Sequence, residues 1–380
     1  MPCRVEPLIR VLHIAKYAFE RPGGMERHVE TLTRGLAAEG VDVSVLVYDT
    51  RGRASSRLVD GVRVEPVGVW GHLGSQAIAP AMIGRARQLA QVRRFDVVHQ
   101  HWPDPFAHVV ASLVPGEPAH VVSWHSDIVR QRVLGPLYRQ LAPHLLKRLD
   151  AVVGATQAHL NSTQMARFVP FDKRHVIPYG IDTRLLALTE AVQRKAEALR
   201  ARHGHKPLVF ALGRHVYYKG FDVLIRAMAA VPAVLLLGGS GPMSAELREL
   251  ARSTGAQVHF AGEIPEADLP AYFHACDVYC LSSVATAEAF GIVQAEAMVC
   301  GKPVVNTWLH NGVNALAPEG VCALTVPPGD ATALAGALNR VLADPALAHR
   351  LGEAGRARVL QSFSVEAMVN QTLALYQSLI

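Results

Sequence analysis

The sequence predicts an α/β chain made of two doubly wound halves, each a parallel sheet with helices between its strands. Three observations carry this. Short apolar strand candidates alternate with helical segments along most of the chain. One strandless, polar and basic stretch, 183–206, interrupts the alternation, and a second set of strands starts after it. A glycine-containing turn follows the first strand of each half, at Gly23-Gly24 and at Gly213.

In the first half the strand candidates are 9–14, 41–47, 62–67, 96–99, 121–125, 151–154 and 175–177. Residues 23–40 open on the glycine pair and place Val29, Leu32 and Leu36 on one face, as an amphipathic helix does. Residues 77–94 read as another helix. The second half offers strands at 208–212, 234–237, 258–260, 278–281, 304–305 and 323–326, and 364–380 reads as a final helix. The domains expected are 1–185, 186–363 and the helix 364–380, with a cleft between the two halves.

A chain of 380 residues can bury two sizeable cores. Half of it is hydrophobic, yet no run of eighteen apolar residues lacks a charge, so no transmembrane helix is expected. The opening MPCRVEPLIRVLHIA carries Glu6 and Pro7 inside any apolar core and has no small-residue cleavage site, so it reads as the approach to a first strand. The five cysteines are odd in number, and Cys276 and Cys280 lack metal spacing; a reduced, cytoplasmic chain follows. The net charge of +6 is uneven. Residues 1–180 hold 22 Lys/Arg against 15 Asp/Glu, whereas 181–380 hold 16 against 17. The basic excess suits a pyrophosphate substrate or an anionic membrane. Nucleic acid is disfavoured, because aromatics make up only 6% and are scattered.

The richest stretch is Glu288 to Val305, EAFGIVQAEAMVCGKPVV. Glu288 lies in a loop. A helical run, 293–299, follows and is closed by Gly301 and Pro303, which suit a C′ cap and the residues just past it. Glu296 falls within that run, about two turns beyond Glu288 and roughly on the same side. The backbone N–H groups of Phe290, Gly291 and Ile292 open the helix and make an anion site strengthened by the macrodipole. The whole stretch resembles the signature of the retaining GT-B glycosyltransferases of glycosyltransferase family 4: Glu, any residue, Phe-Gly, four residues, Glu-Ala-Met-Ala, any residue, Gly, any residue, Pro-Val-Val. Val299 and Cys300 replace the small residues before the glycine, and the rest matches.

Other segments extend the resemblance over nearly the whole chain. Gly213-Arg214, four residues, Lys219-Gly220 is similar to the family's basic loop; a planar guanidinium and a mobile ammonium together suit a diphosphate. Gly23-Gly24 looks like the first-domain loop that approaches donor phosphate and acceptor. His125-Ser126-Asp127 ends a strand where the family often has His-Ser-Asp. The resemblance implies that His125 contacts the donor sugar, and that Asp127 orients it or caps the next helix. Leu237-Gly238-Gly239-Ser240-Gly241-Pro242 fails as a dinucleotide fingerprint, since the third glycine is missing. It reads as a tight turn, and it resembles the family's Gly-x-Gly-Pro loop, which the resemblance places near the nucleotide. Lys302 and Asp330 sit in family-like contexts and receive no chemistry. Asn306 to Gly312 departs from the family's Ser/Thr-x-x-Gly-Gly, which leaves that loop's contacts open.

The resemblance implies a GT-B fold, two Rossmann-like domains whose last helix crosses back to the first. It implies a metal-independent retaining hexosyltransferase without a cofactor, using a nucleotide-diphosphate sugar and a glycan or lipid-linked glycan acceptor. It is similar to members that extend bacterial O-antigen or exopolysaccharide, often by mannosyl transfer. His125, Glu288, Arg214 and Lys219 are the catalytic candidates. Gly23, Gly24, Asp127, Gly213, Phe290, Gly291, Ile292 and Glu296 are the donor-binding candidates, and no metal ligand is expected. A GT-B-shaped epimerase or phosphorylase is the alternative enzyme, although neither the acids for elimination nor a cofactor lysine stands out. Residues 128–149 carry Arg130, Arg132, Arg139, Lys147 and Arg148 among leucines with no acid. They read either as a basic helix at the inner face of the plasma membrane or as a solvated helix face. Binding to anionic vesicles that weakens with salt distinguishes the two.

Overall fold

The computed structural model describes residues 9–17, 19, 23–50, 52, 55–73, 76–125, 146, 148–162 and 168–380. Asp127 and nearly all of 128–149 lie outside the described residues. The chain forms two compact units, Met1–Gly180 with Val365–Ile380, and Ile181–Ser364.

The first unit is built on an eight-stranded sheet. Its strands are β1 (Arg10–Ala15), β2 (Asp42–Asp49), β3 (Arg57–Val59), β4 (Val62–Gly68), then, beyond a separate hairpin of β5 (Gly71–Leu73) and β6 (Gln76–Ile78), β7 (Val97–Trp102), β8 (Ala119–Trp124), β9 (Ala151–Gly154) and β10 (Arg174–Val176). The order is β10-β9-β8-β7-β1-β2-β4-β3, and every pairing except β3 with β4 is parallel. All six residues of β7 are buried, because helices cover both faces of a parallel sheet. Helix Gly24–Ala38 turns Val29, Leu32 and Leu36 inward. The last helix, Val365–Leu379, belongs to this unit. Its Val369 fills the space that a side chain at Gly35 would need.

The second unit is a six-stranded parallel sheet of β11 (Leu208–Leu212), β12 (Val234–Gly238), β13 (Val258–Gly262), β14 (Val278–Leu281), β15 (Val304–Thr307) and β16 (Ala323–Val326). The order β13-β12-β11-β14-β15-β16 is the doubly wound Rossmann order, with its reversal between β11 and β14. Such a reversal splays the crossover loops apart at the carboxyl ends and leaves a crevice there. The unit begins at Ile181, five residues before the expected boundary. Its backbone N–H donates to the Phe363 carbonyl at 2.9 Å, and His274 reaches the Leu186 carbonyl, so 181–186 is fastened to this unit.

Several polar residues are local fasteners. Asp330 caps helix Ala331–Ala343 by accepting from Ala333 N at 2.8 Å, and Asp344 caps helix Pro345–Ser362 through Leu347 N at 3.0 Å. Lys302 donates to the His274 carbonyl at 2.9 Å.

Helix Pro345–Ser362 packs against helix Ile292–Val299 through glycines. A Cβ at Gly352 would collide with the Gly301 carbonyl oxygen, a backbone atom that cannot step aside. Gly352→Ala therefore lowers the melting temperature, although alanine ordinarily favours a helix interior by about 1 kcal/mol. Gly336→Ala, on an exposed helical position with nothing within 4 Å, raises it. Thermal denaturation of the two variants beside wild type checks the opposite signs.

Candidate active site

The switch point of the second sheet gathers the chemistry. Strand β11 ends at Leu212, and Gly213 to Gly220 leave its carboxyl edge. Strand β14 ends at Leu281, and the loop from Ser282 carries Glu288. The two loops are tied together. Val284 N donates to the Tyr218 carbonyl at 2.7 Å, and Ser282 Oγ donates to the Lys219 carbonyl at 2.9 Å. Gly220 holds φ 61°, and a side chain there would strike the Ser282 carbonyl. Only glycine permits this approach.

Within that frame Lys219 Nζ and Glu288 Oε2 lie 2.5 Å apart, with side chains 12% and 11% exposed. Ser283 Oγ donates a further hydrogen bond to the same carboxylate oxygen at 3.0 Å. Burial by itself depresses the Lys219 ammonium, but the adjoining Glu288 carboxylate, with Tyr218, outweighs it and leaves the lysine above its ordinary value. The stabilisation from this raised pKa is present at neutral pH and is lost only as pH rises past the ordinary lysine range, about 10.4. The ammonium thus stands charged and nearly dry against Glu288 at the carboxyl end of the sheet.

Gly213 lets this happen. A Cβ there would press on Lys219 Cε at 3.0 Å. Arg214 beside it is exposed. The glycine-rich turn 238–241 supports the same loop: Gly213 N donates to the Gly238 carbonyl and His215 N to the Ser240 carbonyl at 2.9 Å. Side chains at Gly239 and Gly241 would strike the backbone of Gly213 and His215. These glycines serve backbone-to-backbone contact.

Gly291 caps helix Ile292–Val299 in the left-handed region at φ 74°, with Phe290 and Gly291 buried. The amides of 290–292 stand at the opening of that eight-residue helix. Glu296 is 3% exposed, within the helix. Asn311, in the loop that departs from the family pattern, donates from Nδ2 to the Glu288 carbonyl at 2.7 Å and caps the next helix through Val313 N at 3.0 Å. Sequence reasoning missed Ser283 and Asn311. The Asn-Gly pair before an apolar run was the one available signal for Asn311.

The remaining candidates belong to the first unit. Gly23 is the N-cap residue of helix Gly24–Ala38 in extended backbone, and Gly24 is the exposed first helical residue. His125 follows β8 and is 8% exposed. Its Nδ1 pairs with Tyr179 Oη at 2.5 Å and its Nε2 with His101 Nδ1 at 3.0 Å. Burial, then His28 and His159, hold its imidazole well below the ordinary range.

The comparisons concern the family and the fold. The description Glycosyltransferase Family 4 matches residues 22–185, and Glycosyl transferases group 1 matches 193–358. D-rhamnosyltransferase WbpZ of Pseudomonas aeruginosa is 30% identical over 94% of this chain and 92% of its own. O-antigen chain mannosyltransferase C of Escherichia coli is 27% identical over 98% and 99%. Among solved structures, sucrose-phosphate synthase from Thermosynechococcus elongatus superposes with a TM-score of 0.82 at 24% identity, covering 98% of this chain and 99% of that one. Anabaena HepE in complex with UDP-glucose gives 0.79 at 23%, covering 98% and 100%. The chain belongs to the family 4, group 1 glycosyltransferases, and its two units are Rossmann-like domains of the GT-B fold.

Removing one member of a nearly buried ion pair strands the other charge, at a cost of about 3 kcal/mol or more. Lys219→Met and Glu288→Leu each lower the unfolding free energy measured in urea by that order, and the double variant recovers most of the loss. Simple additivity of the two losses in a double-mutant cycle contradicts the pair.

Proposed function

We propose that this glycosyltransferase moves a hexose from a nucleoside-diphosphate sugar to a hydroxyl of a glycan or lipid-linked glycan, with retention at the anomeric carbon, in O-antigen or related polysaccharide assembly. The observation that carries the reading is the Lys219–Glu288 pair at the sheet's switch point. A donor sugar joins its hexose to its diphosphate through one anomeric carbon. An adjacent cation and carboxylate can receive those two neighbouring parts.

In this reading Lys219 and exposed Arg214 hold the diphosphate with the 290–292 amides. Glu288 accepts from sugar hydroxyls, and Glu296 accepts from the ribose. The C1–O bond to phosphate breaks, with the leaving charge taken by these cations and the helix N-terminus. The acceptor oxygen bonds to C1 on the same face, and its proton passes to the departing phosphate oxygen. No second carboxylate is assigned as covalent nucleophile. His125 has both ring nitrogens engaged in its own unit, so the proposed sugar contact uses its backbone or a change of partner. The diphosphate step needs no divalent ion in this account. The reaction is placed in the cytoplasm, at the membrane face where a lipid-linked acceptor is presented. The names of the relatives WbpZ and O-antigen chain mannosyltransferase C support rhamnosyl or mannosyl donors.

The test is a donor screen with GDP-, UDP- and ADP-sugars on a synthetic acceptor, with the product anomer read by NMR. Arg214→Ala loses a charge-assisted contact of about 1.5–3 kcal/mol and turnover falls at least about tenfold, with folding intact. Added magnesium or manganese changes the wild-type rate less than about twofold. An inverted product, or wild-type turnover in Arg214→Ala, contradicts the proposal.

A further inference from the structure

At the carboxyl end of the first sheet, five histidines come together. His13 and His99 are register partners on adjacent strands β1 and β7, and His101 shares a strand face with His99. His28 comes from helix Gly24–Ala38 and His125 from the end of β8. All are buried, from 0% to 8% exposed. His13 Nδ1 lies 3.0 Å from His101 Nε2, and His101 Nδ1 lies 3.0 Å from His125 Nε2. The rings of His28 and His125 are 5.0 Å apart.

We propose that His28, His101 and His125 form a site for a zinc-class divalent ion. One nitrogen from each of the three lies within 4.8 Å of the other two; three ligands at about 2.0–2.1 Å from one tetrahedral ion need a spacing of about 3.3 Å, so the ion draws the rings together by side-chain rotation. His28 Nδ1 is buried without a hydrogen-bond partner. Between His101 and His125 only one proton can occupy the shared 3.0 Å line, and a metal ion seated beside that line, with the two rings turned toward it, can replace the proton while recruiting His28.

The outer hydrogen bonds fit this replacement. With the metal on His125 Nε2, its Nδ1–H donates to Tyr179 Oη at 2.5 Å. With the metal on His101 Nδ1, its Nε2–H donates to His13 Nδ1, whose Nε2–H faces Tyr376 Oη at 3.4 Å. Tyr376 Oη then donates to His99 Nδ1 at 2.5 Å, and His99 Nε2–H ends the chain on Ser123 Oγ at 2.8 Å. Every donor points away from the ion, the arrangement that fixes ligand tautomers in histidine metal sites. An all-nitrogen set disfavours magnesium and calcium and suits zinc, copper or nickel. Three imidazoles leave a tetrahedral ion one position for water or an anion.

The experiment uses the full, untagged chain, stripped with chelator, dialysed at neutral pH against zinc alone and freed of loose ion by gel filtration. Metal content is read by mass spectrometry. Wild type retains about one zinc per chain, with a melting temperature raised by roughly 5 °C or more. His28→Gln and His101→Gln retain none, whereas His99→Gln retains it. Circular dichroism verifies each variant's fold. Should one not fold, cobalt titration of wild type decides: a four-coordinate visible spectrum supports the site, and its absence overturns it. Wild type without zinc, or His28→Gln with the full complement, also overturns the proposal.

Discussion

A lysine ammonium and a glutamate carboxylate held 2.5 Å apart with little water around them impose severe demands on the backbone that carries them. Each charge left alone in that setting would cost several kcal/mol. The pair persists because two loops from neighbouring parallel strands are tied together, Val284 N to the Tyr218 carbonyl and Ser282 Oγ to the Lys219 carbonyl. Glycines at 213, 220, 239 and 241 make that locking possible, since side chains there would meet Lys219 or the backbone of its supports. Ser283 and Asn311 then fix the carboxylate and its own backbone.

The same architectural rule acts in both units. Where the strand order of a doubly wound sheet reverses, the carboxyl ends open outward and polar side chains find room. The second unit fills that place with an ion pair. The first fills it with neutral imidazoles and phenols joined in one hydrogen-bonded series, anchored by Tyr376 of the final helix.

Most of the fold was legible in the sequence because parallel strands covered on both faces read as continuous apolar runs, as at 208–212 and 234–237. Strand β3 and the β5–β6 hairpin were not, being three residues each without a continuous apolar run, and Ala77 and Ile78 of β6 were absorbed into an expected helix. The Glu288–Glu296 stretch was legible because its residues are contiguous. The direct contact between Lys219 and Glu288 was not, because it depends on β11 and β14 being neighbours although two strands intervene in sequence. The histidine group was hidden for the same reason. His99 and His101 gave a two-residue alternation, but only strand register brings His13 beside them.

Hydrogen–deuterium exchange of the full chain, with and without saturating nucleoside-diphosphate sugar, tests the central claim most directly. Ligand should slow exchange in peptides covering 213–220 and 283–292, which carry the ion pair and the helix-opening amides of the proposed donor site. Protection elsewhere in the second unit, with both of these peptides unchanged, would contradict the placement of the donor at the switch point.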